Sequence, residues 1–174
     1  MEKKKKIQHI FVAVITIIAA VLFDQWTKFM AVTYLKNSPS YVIIDDVFDL
    51  HYLENQGAAF GILQNQQVFF LVSGIVAFLV AAFLYVRMPH TGRFMPLRVC
   101  LVLIISGATG NMIDRVRLQY VIDFFYFKLI DFPIFNVADI YVTVAAIGLI
   151  ILILFYYKDE ELNELYKKCK GSKK

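Results

Sequence analysis

Four apolar segments constrain the fold of this 174-residue chain more than any other feature. They lie at about residues 7–27, 68–87, 97–114 and 137–157, and no proline interrupts them. A helix needs roughly 20 apolar residues to cross a hydrocarbon core about 30 Å thick. We therefore predict an all-α membrane protein with four transmembrane helices, forming one integral membrane domain over residues 1–174.

Composition excludes the main alternatives to a membrane protein. Apolar residues make up 59% of the chain and the mean hydropathy is +0.62, whereas soluble domains are roughly 45–50% apolar. Aromatic residues reach 16%, which is incompatible with a disordered chain. With two cysteines the chain is not a disulfide scaffold.

The first apolar segment follows four lysines and could be mistaken for a cleaved signal peptide. Small residues suitable for cleavage do not follow it; instead it continues into the polar run 24–28, DQWTK. We expect a retained helix.

The basic residues indicate the orientation. With four spans, the two termini and the loop near residues 87–98 share one side, which carries thirteen of the 18 lysines and arginines, against five on the other. The positive-inside rule then predicts that both termini and the tail 158–174 are cytoplasmic. The pI of about 9.0 thus reflects topology, and no nucleic-acid partner is expected.

Two segments on the outer side are too short to span the membrane. Residues 40–55 contain β-favouring runs around Asp45 and Asp46, which predict a small extracytoplasmic β-sheet. Residues 121–133 are aromatic and apolar, so we expect an interfacial flap segment there.

Polar residues gather at the predicted outer ends of the helices. Ionisable groups at membrane depth are costly and are functional candidates by default. Their convergence predicts one site near the outer surface, with these members: Asp24, Asn111, Asp114, Arg115, Asp123, Asn136 and Asp139.

Several of these residues also have a structural interpretation. Asp24 and Lys28, at i and i+4, can form an ion pair. Asn136 can cap helix 4 with Asp139 in its first turn. Asp114 and Arg115 can simply end helix 3. Residues 55–57 can form a turn, although their small neighbours Ala58, Ala59 and Gly61 would leave room for a ligand.

Asp123 is the candidate for which a purely structural role is the least satisfactory explanation. Its neighbours in the run 121–125 are apolar and none is cationic. If it faced Asp139 across a narrow gap, both carboxyls could not be charged, and one would keep its proton while the other polarised a water. This is the arrangement of aspartic proteases.

The sequence contains few residue patterns that would support another kind of catalytic or binding site. His9 and His90 are predicted on one side of the membrane and His51 on the other, so no histidine metal site is expected. A nucleophilic pair of His51 with Ser38 or Ser40 has no evident oxyanion hole. Phosphate-binding glycine motifs are absent from the sequence, and we expect neither metal nor cofactor.

Five motifs in order resemble those of the bacterial lipoprotein signal peptidase family, or signal peptidase II. They are 24–28 (DQWTK), 54–61 (ENQGAAFG), 107–115 (GATGNMIDR), 121–124 (VIDF) and 135–139 (FNVAD). The resemblance covers nearly the whole chain, with Ile122 standing where the family often has valine.

The resemblance implies an intramembrane aspartic endopeptidase. It would remove the signal peptide from diacylglyceryl-modified prolipoproteins by cleaving before the lipidated cysteine, with no cofactor. The catalytic pair maps onto Asp123 and Asp139. Residues that bind the substrate or orient the pair map onto Asn55, Asn111, Arg115 and Asn136, and supporting positions onto Asp24, Lys28, Gly57 and Asp114.

The resemblance also implies a location in the bacterial cytoplasmic membrane, with the active site near the outer face. The expected partners are lipid-modified prolipoproteins and membrane lipid, and we expect a monomer. The competing hypothesis is a proton-coupled transporter or channel subunit whose carboxylates relay protons. A non-catalytic membrane assembly factor is a second alternative.

Overall fold

The computed structural model describes the backbone of residues 2–57 and 66–170, and the side chains of residues 6–57 and 66–168. Four helices are long and apolar enough to cross a membrane: Lys6–Leu35, Gln67–Arg87, Gly92–Leu118 and Val137–Tyr156. The described part of the chain also contains one three-stranded antiparallel sheet. The predicted fold class is confirmed.

The first and third helices are longer than their apolar segments. Helix α1 is Glu2–Leu35, α2 is Gln67–Arg87, α3 is Met95–Leu118 and α4 is Val137–Ile151. α3 ends where Gln119 takes a left-handed conformation with φ of 67°. The extra turns of α1 persist because they pack on the sheet: Ala31 is buried with residues of the third strand and α4. Hydropathy locates only the part of a helix that lies in lipid.

Helix α3 is the centre of the bundle. In the most apolar 18-residue stretch of α3, half of the residues are buried. The corresponding fraction is 11% in α1 and α2 and 17% in α4. Small residues on α3 let neighbouring helices approach it closely. A Cβ atom at Gly107 would lie 2.5 Å from the backbone oxygen of Ala138, and one at Gly110 would lie 2.5 Å from Asp24 Oδ2.

The outer faces of the helices are apolar and exposed, as expected for surfaces in contact with lipid. Examples are Phe11, Leu22, Val68, Leu154 and Phe155. Such a surface would aggregate in water. The chain is a multi-pass membrane protein.

The sheet has the order β1-β2-β3, with β1 at Tyr41–Ile44, β2 at Phe48–Asn55 and β3 at Val121–Tyr126. β1 and β2 lie in the segment 40–55 predicted to form strands. β3 was not predicted, since segment 121–133 was interpreted as an interfacial flap. Its first four residues are all buried, so it lacks the alternation that marks a half-exposed strand.

The link from β3 to α4 folds back on β3. After a short 3₁₀ turn at Lys128–Ile130, the amide of Phe125 donates to the Phe135 carbonyl at 2.9 Å, and the Phe135 amide donates to the Phe125 carbonyl at 3.1 Å. Helix α4, Val137–Ile151, begins two residues later. The start of α4 therefore lies beside β3.

The other end of the bundle carries the tail. α4 continues as a π-helical turn at Leu152–Tyr156, and α5, Asp159–Lys170, follows. Arg93 attaches this tail helix to the loop before α3 through two hydrogen bonds of 2.8 and 2.9 Å to the Glu161 carboxylate. Residues 171–174 of the predicted tail lie outside the described residues.

Candidate active site

Asp123 on β3 and Asp139 on α4 line the same cavity of about 410 Å³. The sequence predicted that these two carboxyls could meet, and the return of the chain at Phe135 brings them to one place. Four more of the predicted site residues line this cavity: Asn55, Gly57, Asn111 and Arg115.

Asp123 is 1% exposed and is held by amides rather than by a cation. Asn55 Nδ2 donates to its Oδ2 at 2.7 Å, and Asn136 Nδ2 donates to its Oδ1 at 2.6 Å. Burial, followed by the negative charge of Asp139, raises the pKa of Asp123 to about 7. This carboxyl is suited to hold a proton near neutral pH.

Asn55 is oriented by the turn that follows β2. Its Oδ1 accepts a hydrogen bond from the amide of Gly57 at 2.9 Å, which leaves Nδ2 to donate to Asp123. The turn predicted at residues 55–57 and the contact with the site are therefore both present. Ala58, Ala59 and Gly61, expected to leave room for a ligand, lie outside the described residues.

Asn136 joins the two carboxyls. It caps α4 as predicted: its Oδ1 accepts from the Asp139 amide at 3.0 Å, and its own amide donates to Asp139 Oδ2 at 3.1 Å. This reciprocal capping box fixes the Asp139 carboxylate. Because the same side chain donates Nδ2 to Asp123, one residue sets the positions of both acids.

Asn111 holds the second oxygen of Asp139. Its Nδ2 donates to Asp139 Oδ1 at 2.8 Å. Its Oδ1 accepts from Lys28 Nζ at 2.9 Å and from Asn136 Nδ2 at 3.1 Å. Two donors on the oxygen fix the orientation of the amide, because the reverse orientation would direct NH₂ at both donors.

Lys28 is the buried cation below the site, 1% exposed. Its Nζ lies 2.9 Å from Asp24 Oδ2, which forms the predicted i,i+4 ion pair, and 2.9 Å from Asp114 Oδ2. Asp24 in turn accepts from the Ala138 amide at 2.9 Å, and Asp114 accepts from the Ile122 amide at 3.3 Å. The network connects α1 and α3 to the residues immediately before Asp139 and Asp123.

Arg115 also lines the cavity. Its guanidinium lies 5.1 Å from the centroid of the Phe70 ring. Its Nε is buried and has no hydrogen-bond partner among the described residues. Arg115 therefore keeps a donor for a group that enters the cavity.

Two members of the network were missed by the sequence analysis. Gln25 Nε2 donates to Asp114 Oδ1 at 2.9 Å. Gln25 lies three residues before Lys28 and so on the same face of the helix, and this spacing could have identified it from the sequence. The contribution of Ala138 is a backbone amide, which no side-chain pattern reveals. Ser40 and His51 do meet, at 2.7 Å, but on the exposed face of the sheet and away from the cavity.

A family model described as signal peptidase (SPase) II matches residues 16–155 of the chain. The lipoprotein signal peptidase of Caldanaerobacter subterraneus subsp. tengcongensis is 46% identical over 143 residues, which are 81% of this chain and 95% of that protein. The lipoprotein signal peptidase of Clostridium tetani is 41% identical over 150 residues, covering 84% and 93%.

The fold is also similar to that of solved structures. One is described as a bacterial membrane enzyme determined by the in meso method at 2.3 Å resolution. It has a TM-score of 0.76 and 31% sequence identity, and the match covers 86% of this chain and 93% of the other. A second, with the same description at 1.9 Å resolution, has a TM-score of 0.71 and 31% identity over 85% and 96%.

Proposed function

The chain belongs to the signal peptidase II family, as a membrane peptidase that removes signal peptides from prolipoproteins, and we propose that Asp123 and Asp139 are its catalytic pair. The observation that carries this proposal is that both carboxyls line one cavity and are both hydrogen-bonded to Asn136. In this proposal a water held between the two carboxyls reaches a proton acceptor and a proton donor together.

In the proposed mechanism the pair shares one proton, which rests on Asp123. The Asp139 carboxylate takes a proton from the water, and the water oxygen attacks the scissile carbonyl while Asp123 donates its proton to the carbonyl oxygen. The tetrahedral intermediate then releases the amine of the new N-terminus, which takes a proton from Asp139, while one hydroxyl of the intermediate returns a proton to Asp123 as the new carboxyl group forms. No cofactor takes part in these steps.

The proposed substrate is a prolipoprotein with a diacylglyceryl-modified cysteine, cleaved just before that cysteine. Beyond Asp139 the cavity follows Ile140, Thr143 and Val144 along α4, and Ile140 and Val144 are exposed toward lipid. This opening supports entry of the signal peptide from the bilayer, with the diacylglyceryl group remaining among lipid chains. In this proposal Arg115 and Asn55 bind the substrate backbone.

We also propose that both termini are cytoplasmic and that the site lies near the outer face of the bacterial cytoplasmic membrane. The thirteen basic residues on the side of the termini support this orientation. We propose a monomer as the active unit, because the two acids and the three amides that hydrogen-bond to them, Asn55, Asn111 and Asn136, lie close together within one chain. Family membership assigns a peptidase, and no observation supports the transporter or assembly-factor alternative.

The test replaces each acid by its amide in the purified protein and measures cleavage of a diacylglyceryl-modified prolipoprotein. Asp123→Asn and Asp139→Asn should each lower kcat by about 100-fold to 10,000-fold or more, because each removes one proton-transfer step. Asp46→Asn is the matched control, since this exposed aspartate pairs with Lys128 in the 3₁₀ turn after β3. Full activity in either Asp123→Asn or Asp139→Asn would exclude the pair as the catalytic groups.

A further inference from the structure

Arg98 is a buried cation at the end of the bundle that carries the chain termini. It is 3% exposed, and its partners are all uncharged or basic. Its Nη2 donates to the Thr91 carbonyl at 3.0 Å and contacts Met95 Sδ at 3.7 Å, while Nη1 lies 3.0 Å from His90 Nδ1. Among the described residues no carboxylate forms an ion pair with it. A guanidinium buried in this way is costly unless an anion joins it.

The surroundings of Arg98 leave two buried nitrogens without partners. Arg98 Nε and His90 Nε2 are both buried with no hydrogen bond within the described structure. Because His90 Nδ1 accepts from Arg98, its Nε2 carries the ring proton and is a second donor. Two unpartnered donors next to a positive charge point to an anionic acceptor.

The neighbouring groups add positive rather than negative charge. His9 stacks on His90 with ring centroids 5.6 Å apart. Burial, and then the charges of Arg98, His9 and Lys6, lowers the pKa of His90. The first turn of α3, where Arg98 lies, contains no acidic residue and no side-chain cap, so the helix dipole adds to the positive potential.

Arg98 and His9 line a cavity of about 130 Å³ between α1, α2 and α3. Its rim consists of apolar, exposed side chains that face lipid: Val12, Met95 and Val99. The cavity is large enough for a phosphodiester group but too small for a whole lipid, so acyl chains would lie outside it along this rim.

We propose that this cavity binds the phosphodiester headgroup of an anionic phospholipid from the leaflet that faces the chain termini. Arg98 donates to the phosphate oxygens, and His90 orients the guanidinium by accepting from Nη1. Phosphate is the anion that a planar guanidinium binds best. The apolar rim favours a lipid phosphate over a free one.

The test measures lipid binding to the purified full-length protein in detergent by native mass spectrometry. Phosphatidylglycerol and phosphatidylcholine are titrated in parallel, and inorganic phosphate is added as a competitor. We expect one phosphatidylglycerol to bind the wild-type protein about tenfold more tightly than phosphatidylcholine, because the anionic lipid adds a charge-assisted interaction. Arg98→Gln should abolish this preference, and Arg87→Gln, which changes an exposed arginine on the same side, should keep it.

Three results would overturn the proposal: equal binding of the two lipids to the wild-type protein, a preference that persists in Arg98→Gln, or complete displacement of the lipid by millimolar inorganic phosphate. The first and third use only wild-type protein, so the test holds even if Arg98→Gln fails to fold. Arg98 is sixteen residues before Asp114 on α3, roughly 24 Å along the helix. A variant can therefore lose lipid binding and keep peptidase activity, or lose peptidase activity and keep lipid binding.

Discussion

Lys28 is the residue on which the buried part of the proposed active site depends. It is the cation shared by Asp24 and Asp114, and it also fixes the amide of Asn111 that holds Asp139. Removing one member of a buried ionic group costs more than the group itself contributes, since the remaining charges stay buried and unpaired.

Lys28→Met should therefore destabilise the protein by about 3–5 kcal/mol. Lys36→Met is the matched control, because Lys36 pairs with Glu54 with both side chains more than a third exposed, and such a pair contributes less than about 1 kcal/mol. Thermal unfolding in detergent measures both. Equal unfolding temperatures for the two variants would contradict a stabilising role for the buried network.

Asn55 should tune the proton affinity of Asp123. As pH rises through about 7, Asp123 loses its proton, so kcat should fall on the alkaline side of that pH. The hydrogen bond from Asn55 favours the charged carboxylate and lowers this pKa, so its removal raises the pKa further.

Asn55→Ala should thus shift the alkaline limb of the kcat profile to higher pH, in addition to any loss of rate. Tyr52→Phe, on the same strand but hydrogen-bonded to Glu54, should leave the limb in place. An unchanged limb in Asn55→Ala would argue that Asp123 does not carry the titrating proton.

At the scale of elements, the close contact between α3 and α4 positions Asp139. Gly107 packs against the Ala138 carbonyl, one residue before Asp139, and against Val142. A side chain at Gly107 must push the start of α4 away from α3, and with it the capping box that holds Asp139.

Gly107→Ala should destabilise the protein by about 1–3 kcal/mol, the usual cost of overpacking, and should also lower kcat. Gly92→Ala is the matched control: a Cβ there meets no atom within 4 Å, so its effect should stay within about 0.5 kcal/mol. Thermal unfolding and cleavage assays measure the two effects. A fully active Gly107→Ala would show that α4 can shift without disturbing the pair.

For the whole molecule, the helices alternate in direction, so the sheet and the cavity that contains Asp123 and Asp139 share one end of the bundle and α5 lies at the other. At the end that carries α5, the hydrogen bond from Arg93 lowers the pKa of Glu161 to about 2. The Glu161 carboxylate therefore stays charged, and paired with Arg93, in mildly acidic solution. Orientation in the membrane then decides which compartment each end faces.

The predicted orientation is testable with reporters. Green fluorescent protein fused after Lys174 should fluoresce, and alkaline phosphatase inserted between Asp45 and Asp46 in the exposed turn of the sheet should be active, because that enzyme requires the oxidising outer compartment. An active phosphatase at the C-terminus would reverse the assignment of the two sides.

The sequence by itself determined the features that depend on local spacing or on transfer into lipid. The number of membrane-spanning helices follows from apolar length, the ion pair of Asp24 with Lys28 from one helical turn, and the cap at Asn136 from the start of α4. These interactions involve residues at most four positions apart, so no knowledge of packing is needed.

Only the tertiary structure decided which distant groups meet. Strand β3 is buried on both faces and lacks a periodic pattern, yet its pairing with β2 brings Asn55 to Asp123. The second partner of Lys28 is Asp114, on another helix, and Arg98 lacks a carboxylate partner in the described structure. Such contacts depend on how whole elements pack, and a buried charge is stable only when packing supplies its partners.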